Sequence, residues 1–244
     1  MAARSDARAP HEWPGAERRN PPWSSSTHAV RAPLARWLEA QARELHERLG
    51  PYRLLDVGCG EKPYLPFFEP YASAYVGVDI VDNPCADLRG PVEALPVEDG
   101  GFDVVLCAQV LEHCDDPARA VMELRRVTRP GGRVLASTHG VMWFHPSPAD
   151  YWRWTHTGLE RLFLTNAAWS AVTVSPASGT TACLGMVTSL FVDLLAKRLH
   201  ARRPAGVLVA GINRTAAAVD SRVADLRELR PGSLIANYHV TADA

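Results

Sequence analysis

Apolar positions recur every three or four residues at Val30, Leu34, Leu38, Ala42, Leu45 and Leu49, with Arg and Glu between them. That period predicts an amphipathic helix ended by Gly50-Pro51. From Arg53 the pattern changes to short apolar runs bounded by Gly, Pro or Asp: "RLLDV", "AYVGVDI", "FDVVLCA" and "RVLAST". These predict strands. Between the last two, "DDPARAVMELRRVTRPGG" predicts a helix with Asp116 as N-cap, Pro117 in its first position and Pro130-Gly131-Gly132 as its break. After the fifth strand a long loop, "THGVMWFHPSPADYWRWTHTGLERLF", leads into a helix for which Thr157 and Glu160 have capping-box spacing. "WSAVTVS" reads as a sixth strand and "SLIANYHVTA" as a seventh. Strands alternating with helices need crossover connections, so the class is α/β: a Rossmann-like, seven-stranded, mostly parallel sheet with helices on both faces.

Residues 1–27 are rich in Pro, Arg and Ser without periodicity and read as a flexible N-terminal segment, parts of which Trp13 and Trp23 can dock. Residues 28–244 then form a single domain. Within it, residues 179–230 read as a helical insertion before the last strand, a lid or a dimer face. Either role would cover the stripe Leu184, Met186, Leu190, Leu194 and Leu195. The longest apolar stretch is interrupted by Asp193 and falls short of a membrane span.

The 244 residues carry a net charge of -1, which leaves no broad electrostatic footprint for nucleic acid. Neither nucleic acid nor membrane is an expected partner. The five cysteines include no CxxC pair and several lie in apolar runs, pointing to a reducing cytoplasm without disulfides or structural zinc.

In an open parallel sheet, ligands bind beyond the carboxyl ends of the strands. "LLDVGCGEKPY" brings the first strand into such a crevice, and Gly58 and Gly60 let the backbone turn sharply and approach a ligand. The dinucleotide fingerprint asks for a third glycine where Pro63 stands. Asp56, two residues before Gly58, suits an amine better than a pyrophosphate. Asp79 lies 19 residues after Gly60, near the spacing at which a carboxylate grips ribose hydroxyls. A nucleoside with an amino-acid tail fits this set. In "LLDVGCG", "YVGVDI", "VEALPVEDGGFDVVLCAQVLEHCDDP" and "RRVTRPGGRVLAST", in that order, the chain resembles the class I S-adenosylmethionine-dependent methyltransferases of the type-11 group over roughly residues 52–140.

The resemblance implies S-adenosylmethionine as cofactor and S-adenosylhomocysteine as product. Gly58, Cys59 and Gly60 would line the methionine tail, Asp79 would bind the ribose, Ile80 would pack on the adenine and Gln109 would close the pocket near the sulfonium. Pro91 stands where relatives often carry an adenine-reading acid, which leaves the Val92 amide, Glu93 or Asp87 for that task.

A hydroxyl acceptor needs a base or a metal to take its proton. His139 and His113 are the expected bases, with Tyr151 beside them. "DYWRWT" suggests an acceptor wall of Trp152, Arg153 and Trp154 with His145 nearby, or an anchor of that loop to the core. Glu112, His113 and His139 have the makings of a divalent-ion site. Gln109, standing where metal-dependent relatives carry a first acid, weighs against it, and no metal is expected. The expected reaction is O-methylation of a small secondary metabolite or sugar, the acceptor being a small molecule or glycan. N- or C-methylation and a non-catalytic cofactor-binding role are the alternatives, and a homodimer is an option for assembly.

Overall fold

The computed structural model describes residues 13–146 and 148–244. The first twelve residues of the N-terminal segment expected to be flexible lie outside the described residues. Seven strands make one sheet in the order β3-β2-β1-β4-β5-β7-β6. They are β1 (Tyr52–Val57), β2 (Ala72–Asp79), β3 (Leu88–Arg89), β4 (Phe102–Ala108), β5 (Thr128–His139), β6 (Ala171–Pro176) and β7 (Asn237–Asp243). All pairings are parallel except those of β7, which runs antiparallel to both β5 and β6. Strand order reverses at β1, whose neighbours are β2 and β4, so the carboxyl ends of β1, β2 and β4 open a switch-point crevice.

One face is covered by α4 (Pro117–Val127) and α5 (His156–Asn166), whose Val121, Leu124, Leu159 and Phe163 pack on Leu55, Val57 and Val105. The other is covered by α2 (His28–Leu49) and α3 (Leu65–Phe68), with Leu34, Leu38, Leu45 and Phe68 on Leu54 and Leu106. Helix α2 ends at Gly50, φ 69°, as its period and that glycine predict. Asp116 caps α4 through the Arg119 amide. The expected break at Pro130-Gly131-Gly132 is instead part of β5, because Thr128 already pairs with Phe102 across an irregular register.

Helix α5 corrects the expected cap. Thr155, in extended backbone, accepts the Gly158 N–H at 3.1 Å, while Thr157 lies inside the first turn. The last strand begins at Asn237, opposite His139, rather than at Ser233; Ile235 and Ala236 spend their carbonyls on Val141 and Gly140.

The insertion consists of α6 (Thr180–Leu199) and α7 (Arg202–Arg222) followed by a 3-10 turn at Ala224–Leu226. Of the stripe expected to be covered, Met186 is buried, but Leu184, Leu194 and Leu195 are exposed. No described helix is long and apolar enough to cross a membrane, and all five cysteines are free. Residues 13–27 include the short helix α1 (Ala16–Arg19) and dock behind the glycine turn. Trp13 Nε1 donates to the Lys62 carbonyl, and Arg19 donates to the carbonyls of Trp13, Pro14 and Pro63.

Candidate active site

Beyond β1 the chain turns at Gly58 (φ 67°) and Gly60 (φ 50°), conformations that favour glycine. A Cβ on Gly58 would lie 2.4 Å from Val110 Cγ2; one on Gly60 would meet nothing within 4 Å. The amides of Gly58 and Cys59 donate to the Val78 carbonyl, fastening the turn to β2. Asp79 holds its far side: Oδ2 accepts from the Gly60 amide at 2.9 Å, Oδ1 from the Val81 amide at 3.2 Å. Asn83 completes the hold, its Nδ2 donating to the Gly60 carbonyl at 2.6 Å and to Asp79 Oδ2 at 3.2 Å.

Over this turn lies a crevice with two arms. The wider, of about 490 Å³, is lined by Gly58, Gly60, Asp79, Ile80, Asn83 and Gln109 among others. The narrower, of about 110 Å³, lies between Ile80, Pro91, Val92, Glu93 and Cys114. Gly58, Ile80, Val110, His113 and Pro148 line both. Acids at Glu61, Asp79, Asp82, Glu93 and Asp115 surround it, and no described lysine or arginine lines it. The nearby cation Lys62 is spent on Asp87 at 2.6 Å.

Asp87 also accepts the Gly77 amide and does not line the crevice, which leaves Val92 and Glu93 of the three adenine readers considered. Asp56 does not face the crevice either. The two-residue period of β1 puts it with Leu54 on the α2 face, where the Tyr75 hydroxyl donates to it at 2.6 Å and burial pushes its carboxyl up to about 7. Cys59 is likewise turned inward, against Gly77, with burial pushing its thiol up to about 12, so it offers the crevice main chain rather than side chain. Gln109 sits at the floor in a left-handed conformation (φ 60°), its Nε2 donating to Ser137 Oγ at 2.7 Å and to Asn237 Oδ1 at 3.0 Å. Asn83 and Asn237 carry no motif and were invisible to the sequence reading. The first is a turn residue, and the second reaches Gln109 only through the antiparallel pairing of β7.

On the acceptor side, Glu112 and His113 lie in the turn after β4, with His139 at the end of β5. Glu112 is fully buried; Thr138 Oγ1 donates to its Oε2 at 2.8 Å and His139 Nε2 stands 3.2 Å from its Oε1. Burial pushes the Glu112 carboxyl up to about 7 and the His139 imidazole down to about 3, so their contact is not a stable ion pair. His145 meets His113 and His139 edge-on, both at 5.1 Å between ring centres. Its amide donates to Asp150, and Arg153 grips the same carboxylate with two nitrogens at 2.5 and 2.8 Å.

Arg153 also donates to the carbonyls of Met142, Trp143 and Trp152. Expected to bind an acceptor anion, it is instead the clamp of this loop. Trp154 packs into the core beneath, stacked on Trp152 at 5.8 Å, and belongs to the anchor rather than the wall. Trp152 ties its Nε1 to the Cys114 carbonyl but remains partly exposed. Trp143 and Phe144, not singled out in the sequence, present exposed rings, and Tyr151 stands exposed with its hydroxyl on Asp115.

Of the three expected catalytic residues, only His113 lines the crevice, at the junction of its arms. Its Nδ1 faces the Ala149 carbonyl, which can only accept, so Nδ1 carries the proton and Nε2 keeps its lone pair. Burial lowers its pKa, so the ring is neutral at neutral pH. His139 is 3% exposed and shut behind Glu112 and His145. Ligand atoms of Glu112, His113 and His145 lie within 4.8 Å of one another. The structure thus groups His145, not His139, with the Glu112–His113 pair considered for a metal.

Residues 55–136 match the Methyltransf_11 family, a methyltransferase domain. The ubiquinone biosynthesis O-methyltransferase of Azotobacter vinelandii is 32% identical over 126 residues, covering 46% of this chain and 52% of that one. An uncharacterized 37.1 kDa protein in transposon TN4556 of Streptomyces fradiae is 50% identical over 97 residues, covering 33% and 28% respectively. The chain spans about half the length of the curated relatives it matches first. Among solved structures, the [4+2]-cyclase SpnF superposes with a TM-score of 0.51 at 21% identity over 84% of this chain and 79% of that one, a likeness of fold alone. The stretch that holds the glycine turn, Asp79 and the Glu112–His113 turn is therefore the part of the chain that matches a methyltransferase domain.

Proposed function

We propose that the crevice holds S-adenosylmethionine and that the chain transfers its methyl group to a hydroxyl oxygen of a small secondary metabolite or sugar. The observation that carries the reading is the crevice itself: a glycine turn at the switch point, ringed by acids and, among the described residues, lined by no lysine or arginine. That field suits a ligand bearing an ammonium and a sulfonium and opposes a diphosphate. The backbone of Gly58 and Gly60 lies against the amino-acid tail, Asp79 and Asn83 take the ribose, and the slot between Ile80, Pro91 and Val92 takes the adenine.

The acceptor oxygen attacks the methyl carbon in line, the carbon–sulfur bond breaks, and its electrons leave with S-adenosylhomocysteine. His113 Nε2 takes the hydroxyl proton, a role supported by its position at the junction of the arms and by the Ala149 carbonyl that fixes its tautomer. The exposed rings of Tyr151 and Trp152 offer stacking faces for a sugar or aromatic acceptor. The name of the Azotobacter vinelandii relative, an O-methyltransferase, favours oxygen over nitrogen or carbon.

Transfer of labelled methyl from S-adenosylmethionine to a panel of hydroxylated acceptors tests this. His113→Gln should lower kcat by roughly 10²–10⁴-fold, the usual contribution of a general base, while S-adenosylhomocysteine binds as before. Unchanged turnover would remove His113 from the reaction. With the native residue, the acid limb of kcat/KM should lie below the ordinary imidazole value of 6.5, because burial lowers the His113 pKa.

A further inference from the structure

The hairpin of α6 and α7 is packed inside out. Its buried positions are mostly small: Ala182, Gly185, Ser189 and Ala196 on α6, Ala205 and Ala216 on α7. A Cβ on Gly185 would lie 2.9 Å from that of Ala216, so the helices approach closely. Large apolar side chains point outward instead. Val187, Phe191, Leu194 and Leu208 are exposed, and Leu199 and Val207 are 72% and 77% exposed. Single exposed aliphatics are ordinary, but a patch of this extent marks a contact surface.

Charge gives the patch a direction. Between Leu184 and Arg214 the chain has one acid, Asp193, against Lys197, Arg198, Arg202, Arg203 and Arg214. The first four of these bases form no ion pair among the described residues. At the hairpin tip, Lys197, His200, Arg202, Arg203 and Pro204 line a shallow basin. Lys197 also lines an apolar groove with Trp143, Phe144, Phe191 and Leu194, whose one acid is Asp193. Basin and groove are therefore one surface. Arg203 and Val207, four residues apart, share one face of α7.

We propose that this hairpin docks on the surface of a bilayer containing anionic lipid. Its apolar side chains enter the acyl boundary while the basic tip holds headgroup phosphates. An anionic bilayer satisfies both the charge and the apolar area. Of the two acids on its own hairpin, a second copy of the chain brings only Asp193 to meet the bases, because Asp220 is buried and accepts the Thr181 and Ala182 amides. The absence of a membrane partner was expected from span length, which a hairpin lying flat does not need.

Flotation of the full chain with vesicles tests the proposal without cofactor or acceptor, so its outcome is independent of methyl transfer. The chain should bind vesicles of phosphatidylcholine with about one-third phosphatidylglycerol and not those of phosphatidylcholine alone, and high salt should release it. Arg202→Glu with Arg203→Glu should weaken partition roughly tenfold or more, since each base contributes to the attraction. Leu194→Gln with Val207→Gln, also at exposed positions, should weaken it as well. Circular dichroism should show all variants folded. Failure to bind anionic vesicles at low salt, or binding untouched by the charge reversal, would overturn the proposal. So would a dimer in solution that Leu194→Gln with Val207→Gln dissociates, because the face would then belong to a second copy.

Discussion

Gly58 and Gly60 look alike in the sequence, but only Gly58 is enclosed. Gly58→Ala drives a Cβ against Val110 and strains a left-handed backbone, and should cost about 2–4 kcal/mol of stability, overpacking and strain together. Gly60→Ala meets open space and should cost about 1 kcal/mol, from backbone strain alone. Urea unfolding of the two variants checks the difference; equal costs would mean that the turn relaxes away from Val110. Asp79 and the glycines were legible because a motif fixes their backbone. Asp56 was misplaced because nearness in sequence to Gly58 says less than the strand period, which turns it to the far face with Leu54. Arg153 was misassigned for a different reason: its residue type promises an anion, and only the folded loop shows that Asp150 supplies it.

Among the elements, α5 offers the cleanest contrast. Thr155→Ala should cost about 1 kcal/mol by removing the cap, whereas Thr157→Ala should cost a few tenths at most. A larger loss at Thr157 would restore the capping box that the sequence suggested. Helix α2 was legible because its apolar period and its glycine terminator agree, and α4 at its Asp116-Pro117 start, though it ends at Val127, before the expected break. Strand β3, two residues long, leaves no period to read. The insertion was legible as helical, but its orientation was not. An apolar stripe says that a face wants cover, and here the small side chains took the inside.

For the molecule as a whole, four deeply buried groups set the response to pH. His139 and His239 have folded pKa values lowered from 6.5 to about 3 by burial. The unfolded chain takes up their protons first, so their contribution to stability is full above 6.5 and lost as pH falls from there. Asp56 and Glu112 are raised, from 3.8 and 4.5, to about 7. They keep protons that the unfolded chain has released, so their contribution is full below the unfolded values and lost as pH rises towards 7. Between 4.5 and 6.5 the two pairs oppose each other, which leaves only the smaller rise with pH from His28 and His113, also lowered by burial. Asp56→Asn removes one side of the balance, and stability should then rise with pH across this window by about 1 kcal/mol per unit. Urea midpoints at pH 5 and 6.5 measure the change, and a variant no steeper than the parent would contradict it.

The same scale contains the central claim, that the acid-ringed switch-point crevice takes a cationic nucleoside and not a dinucleotide. The Rossmann-like sheet is common to both kinds of protein, and fold alone does not choose between them. Calorimetric titration of the chain with S-adenosylhomocysteine and with NAD decides most directly. S-adenosylhomocysteine should bind and NAD should not, and Asp79→Ala should weaken the first by about 1–3 kcal/mol through loss of a charge-assisted hydrogen bond. Binding of NAD, or S-adenosylhomocysteine affinity unmoved by Asp79→Ala, would contradict the account.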